Sequence, residues 1–121
     1  MRLFRFDVAI GHSITQFNSH DAIIAGIQRG SMQIQLGCLY LRVGGVLGAH
    51  PATTRQLLLV VAGSGWVRSG AEEQRRIMTG QAVYWEPGEE HETATDTGLT
   101  AIILESDSLE PGQFLLEESP A

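Results

Sequence analysis

A chain of 121 residues is expected to form one domain with its own core. Its 43% hydrophobic and 18% charged residues match a soluble globule, and no apolar run reaches the length of a membrane span. A formal net charge of −6 argues against nucleic acid or an anionic membrane as partner; because no lysine occurs, lysine Schiff-base chemistry is excluded.

Residues 1–31 read as N-terminal strands. The opening "MRLFRFDVAIGHS" lacks the unbroken apolar core of a secretion signal, and the single Cys38 has no partner for an intrachain disulfide. On both features a cytoplasmic location is expected. "HDAIIAGIQRG" comes nearest to a helical stripe, but its glycine and paired isoleucines suit a strand equally well. His12 and His20 read as surface residues, and "NSHD" as a turn.

In "MQIQLGCLYL" the residues Met32, Ile34, Leu36, Cys38 and Tyr40 share one face. The opposite face begins polar with Gln33 and Gln35 and becomes apolar at Leu39 and Leu41. This pattern predicts a strand that starts at a sheet edge and becomes sandwiched, with Cys38 a buried, inert thiol. Gly44 and Gly45 mark a turn, after which "VLGAH" continues extended. "QLLLVVAG" predicts a strand covered on both faces. "GWVRSG", the polar return "EEQRRIMTG", "QAVYWEPG" and "LTAIILES" follow as further strands. The segment 107–121 is acidic with no basic residue and is expected to be an exposed tail, in which "FLL" offers a docking point.

About eight β-segments punctuated by glycine describe an all-β jelly roll. Two stretches carry a more specific signal. "GGVLGAHPATTRQLLLVVAG" resembles the first cupin motif, which runs from a glycine through His-x-His and a glutamate to a glycine. "GQAVYWEPGEEH" resembles the second, which runs from a glycine through Pro-x-Gly-x-x-His. The segment between them, Ser64 to Thr79, has the compact length of small bacterial cupins. The resemblance, to the small single-domain RmlC-like cupins, covers about residues 32–106 and implies a double-stranded β-helix barrel.

Where the family has four metal ligands, this sequence has His50, Gln56 and His91. The first histidine is replaced by Gly48, the glutamate by Gln56, and the second motif's proline stands directly before Gly88. The resemblance therefore implies a reduced site that can hold Zn, Fe, Mn or Ni, or an organic pocket with no metal at all. Gly48 has the strand parity of His50, so its missing side chain is expected to open space inside the barrel. Glu86 takes the place of the family proline and shares the parity of Ala82 and Tyr84, which directs it to the barrel mouth. Tyr84 is expected to line the pocket and Trp85 to form a wall of it.

Three readings follow. In the first, the barrel binds a small organic molecule through His50, Gln56, Tyr84, Glu86 and His91. In the second, His50, Gln56 and His91 hold a metal for dioxygenase, isomerase or epimerase chemistry, as the resemblance implies. In the third, the chain is a non-catalytic assembly domain that pairs as a homodimer through its doubly apolar strands.

Overall fold

The computed structural model describes residues 1–118. Among these the strands run in chain order β1 (Arg2–Arg5), β2 (His12–Ile14), β3 (Ala22–Ile24), β4 (Gln35–Leu41), β5 (Val46–Pro51), β6 (Gln56–Ser69), β7 (Arg75–Met78), β8 (Gln81–Trp85), β9 (Glu90–Ala94), β10 (Leu99–Glu105) and β11 (Leu116–Glu117). Short 3-10 turns occupy Val8–Ile10 and Pro111–Gln113. No helix among the described residues is long and apolar enough to cross a membrane.

The large layer has the order β11-β1-β8-β6-β10-β4, every pairing antiparallel. The opposing layer is built from β5, β9, the second half of β6, and β7. The all-β jelly-roll reading holds. β6 belongs to both layers. Its first half lies between β8 and β10, and its second half between β9 and β7. The crossing is made by a bulge at Val61, which has no opposite number on β10, followed by Gly63 at φ +81°. Such a positive φ suits glycine, and a Cβ here would run into the Gly98 carbonyl oxygen.

The solid apolar run of β6 has a direct cause. Leu58 and Val60 point between the layers and pack with Val67, Ile77, Val83, Trp85, Leu99 and Ala101. Leu57 and Leu59 point outward and pack with Phe4, Ala82, Tyr84, Leu109 and Leu115. A strand covered on both sides has no use for polar alternation. The second, outer layer of cover comes from the chain ends: Ile27 packs onto it, and Arg55 Nη1 donates to the Leu109 carbonyl at 2.8 Å.

Three expectations change. The C-terminal segment docks rather than standing free, since Leu109 and Leu115 are buried and β11 pairs with β1. Residues 119–121 of that tail lie outside the described residues. "HDAIIAGIQRG" contributes only the three residues of β3, paired with β2. β4 remains a terminal strand along its whole length, so Leu36, Cys38 and Tyr40 are exposed while Leu39 and Leu41 turn inward. The lone thiol is therefore not buried: it lies on the outward face of β4, opposite in direction to Leu39 and Leu41.

Truncating Leu58 to alanine is expected to cost about 2–5 kcal/mol in urea unfolding, and Gly63→Ala about 1 kcal/mol or more. Val8→Ala, at an exposed position, should stay within about 0.5 kcal/mol of wild type.

Candidate functional site

β5 and β9 pair antiparallel with His50 opposite His91. The register slips between Leu47 and His50, so two residues, Gly48 and Ala49, stand where one would continue the ladder. This bulge breaks the alternation on which the role of Gly48 was argued. Leu47 and His50 now align with the face of Thr93 and His91, and Gly48 is no longer held to that face. The Gly48 position does border open space, with nothing within 4 Å of an added Cβ. The bulge also brings the Gly48 carbonyl to 2.7 Å from His50 Nδ1.

That contact settles the protonation pattern. A carbonyl only accepts, so His50 Nδ1 carries its proton and, in the neutral ring, Nε2 is left as an acceptor. His91 Nε2 lies 2.9 Å from His50 Nε2, and so donates. The remaining nitrogen, His91 Nδ1, is then an acceptor, and it is buried without a partner. His91 is 3% exposed, whereas His50 is exposed to solvent. Burial first, and then the neighbouring His50, push the His91 pKa down to about 4 against a smaller opposing pull from Glu89. Near neutral pH the His91 ring is uncharged.

Trp85 stands behind the pair. Its ring meets His91 edge-on, with centroids 4.7 Å apart, and its Nε1–H is likewise buried without a partner. Gln56 is the register partner of Trp85 and shares the interior face of Leu58 and Val60. It is 4% exposed. The structure thus links Gln56 to the histidines through Trp85. Tyr84 and Glu86 fall elsewhere. Tyr84 belongs to the outer cluster with Phe4 and Leu57, and burial, then Glu86, push its phenol up to about 12. Glu86 is exposed next to it. Alternation alone cannot say which face of a strand is the interior; once Trp85 is inward, Tyr84 and Glu86 are outward.

Glu89, which the sequence pattern does not single out, organises the turn. Its carboxylate takes hydrogen bonds from the Met1 α-amino group, the Ser69 hydroxyl and, at 2.9 Å, the Glu86 N–H. Burial alone would raise its pKa, but these donors hold it below the ordinary carboxylate range. Ser69 is also the β6 residue opposite His91. Nothing local marks Glu89, because the partners that single it out come from β6 and the first residue.

Comparison with known proteins fits this picture. No family model matches the chain, and no curated protein matches it. Solved structures do. The chain is similar to a cupin-like protein from Thermotoga maritima, at 21% identity and TM-score 0.59, over 62% of this chain and 58% of that one. An RmlC-like cupin from Shewanella frigidimarina matches at 18% identity and TM-score 0.58, over 65% and 70%. The DMSP lyase DddQ from Ruegeria pomeroyi matches at 19% and 0.59, over 88% of this chain and 57% of its own. The chain therefore spans under two thirds of the length of the Thermotoga and Ruegeria proteins. Fold and strand arrangement together define a jelly-roll barrel. The domain is a small cupin-type barrel.

The donor set does not suit a metal of the kind this fold family implies. Among the described residues no group of three or more His, Cys, Asp or Glu is placed to hold an ion. His50 is oriented as a ligand would be, with Nδ1 donating to a carbonyl and Nε2 unprotonated, although that lone pair is taken by His91. His91 is not. To offer Nε2 it would have to move its proton to Nδ1, which is buried with no acceptor, at a cost of about 1–3 kcal/mol. Gln56 brings no charge, and Glu89 is already engaged by three donors.

A pH dependence follows from His91. Its folded pKa lies below the unfolded value near 6.5, so the unfolded chain binds the proton more readily. The stability arising from the neutral ring is complete above about pH 6.5 and is lost as pH falls towards about 4, by an amount on the order of 3 kcal/mol. Thermal melts of wild type and His91→Gln should diverge in pH dependence across that window and run parallel above it.

Proposed function

We propose that this domain is a binding module that takes a small, neutral organic molecule at the barrel end formed by His50, Gln56, Trp85 and His91. The observation that carries the reading is the pair of unpartnered buried atoms, the Trp85 Nε1–H donor and the His91 Nδ1 acceptor. Buried polar groups without partners are uncommon in native proteins, and each has about 1–3 kcal/mol to gain from a partner. A hydroxyl or primary amide, which both donates and accepts, complements them. A carboxylate does not: His91 is uncharged near neutral pH and the Glu89 carboxylate stands beside it.

Entry is through His50. β5 pairs only with β9 among the described strands, and the exposed imidazole of His50 is what caps His91 Nε2. Displacing that ring frees the His91 Nε2–H for a ligand oxygen without breaking the barrel. The packing of Leu58, Val60, Ile77 and Val83 behind Trp85 confines the ligand to this end. The neutral His91 ring, capped by His50, whose other nitrogen is held by the Gly48 carbonyl, supports a binding role. A cytoplasmic setting remains part of this reading.

A thermal-shift panel of neutral polyols, sugars and amides, run against matched carboxylates, tests the proposal. Neutral compounds should raise Tm, and Trp85→Phe or His91→Gln should abolish the rise. A response confined to acids, or one indifferent to both substitutions, overturns it. Metal content checks the alternative enzyme reading. Protein loaded with Zn, Fe, Mn or Ni and then desalted should retain well under one equivalent. Stoichiometric metal that vanishes in the His50→Ala/His91→Ala double variant would instead establish a metal centre.

A further inference from the structure

The two chain ends meet on the outer side of the large layer, where Ile27, Leu109 and Leu115 pack into one cluster. They leave a cleft between them. One wall is the β2–β3 hairpin and the segment that follows it; the other is the 3-10 turn Pro111–Gln113 with Phe114. The cleft holds about 390 Å³ and is lined by His12, Ile24, Gly26, Gln28, Arg29 and Phe114. His12 and Ile24 are opposite each other in the hairpin register, which puts both side chains on one face.

Gln28 ties the walls together. Its Oε1 accepts from the Glu110 N–H at 3.1 Å, and its Nε2 donates to the Arg29 carbonyl at 3.1 Å and to Gln113 Oε1 at 3.4 Å. The cleft is thus formed before anything enters it, as most ligand sites are. At Gly26 an added Cβ would lie 3.6 Å from the Phe114 ring, so a side chain here would cover the ring and glycine leaves it open. Arg29 gives the cleft its chemistry. Arg2, Arg5, Arg55 and Arg68 are ion-paired, whereas Arg29 has no acidic partner among the described residues. Glu110, whose backbone N–H Gln28 holds, gives its carboxylate to Arg55 at 3.0 Å instead. The Arg29 guanidinium lies over the Phe114 ring, 5.4 Å from its centroid. That contact orders the group and leaves its fork of N–H donors for an anion.

We propose that this cleft is a second binding site, for a small apolar carboxylic acid. Arg29 holds the carboxylate, the His12 ring offers a further donor, and the body of the acid lies against Phe114 and Ile24. One guanidinium balances one negative charge. A phosphate monoester brings roughly two, into a chain already at −6, and has no use for the apolar wall. The preference is the reverse of that at the barrel end, which takes uncharged molecules, so the two sites do not compete.

Titration of isotope-labelled protein with benzoate and with benzamide, its uncharged counterpart, tests the site by amide NMR. Benzoate should shift the backbone amides of Gly26, Gln28, Arg29 and Phe114 to saturation, and benzamide should bind there at least about 10-fold more weakly. Arg29→Gln should weaken benzoate binding by a similar factor, and Gly26→Leu, which fills the cleft over Phe114, should abolish it. Arg76→Gln removes the same charge from β7, in the opposing layer, and should leave binding unchanged. No saturable shifts at the cleft, equal binding of benzamide, or benzoate binding that survives Arg29→Gln overturns the proposal. The comparison of benzoate with benzamide uses the unaltered chain, so it decides the matter even where a variant misfolds. The Trp85 indole N–H reports separately on the barrel end, and success or failure at one site is read independently of the other.

Discussion

The structure depends on one strand being covered on both faces. β6 sends Leu58 and Val60 between the layers and Leu57 and Leu59 into the outer cluster, so both clusters are built on it. It also crosses from one layer to the other at Val61 and Gly63. Its start pairs with Trp85 and its end with His91, and those two rings are in contact. The strand therefore rises through one layer and returns through the other to the same end of the barrel. The candidate site is assembled there.

Burial rather than charge sets the chemistry at that end. His91 is neutral because its surroundings solvate a cation poorly, and His50 is fixed in one tautomer by a backbone carbonyl that a bulge has swung into reach. The hydrogen-bond chain from His91 through His50 to Gly48 has a direction, and it stops at His91 Nδ1. A site of this kind differs from a four-ligand metal centre in more than the loss of two side chains. The surviving histidines have turned to each other. Glu89, whose charge reaches His91, is spent on holding the turn rather than on the imidazoles.

Most of the fold was legible in the sequence, and about half of the site. The apolar run of "QLLLVVAG", the glycine-bearing turns and the order of the two motif-like stretches mark an all-β barrel, and they single out His50 and His91, which the register sets opposite each other. Gln56 does reach the interior face, next to Trp85. Tyr84 and Glu86 do not, because alternation along "QAVYWE" is equally consistent with either assignment of faces. The face of β4 was misjudged for a related reason. Its apolar residues look the same whether a neighbouring strand, a second protomer or water lies against them.

What the sequence determined by itself is the period of each strand and the places where it must turn, since these follow from local sterics and from the spacing of apolar side chains. What only the tertiary structure decided is which face is inside, where the ladder slips at Gly48 and Ala49, and which carboxylate meets Met1 and Ser69. Each of these depends on the neighbour a strand finds far along the chain. A one-residue slip in that pairing turns every side chain to the other face while leaving the local pattern unchanged.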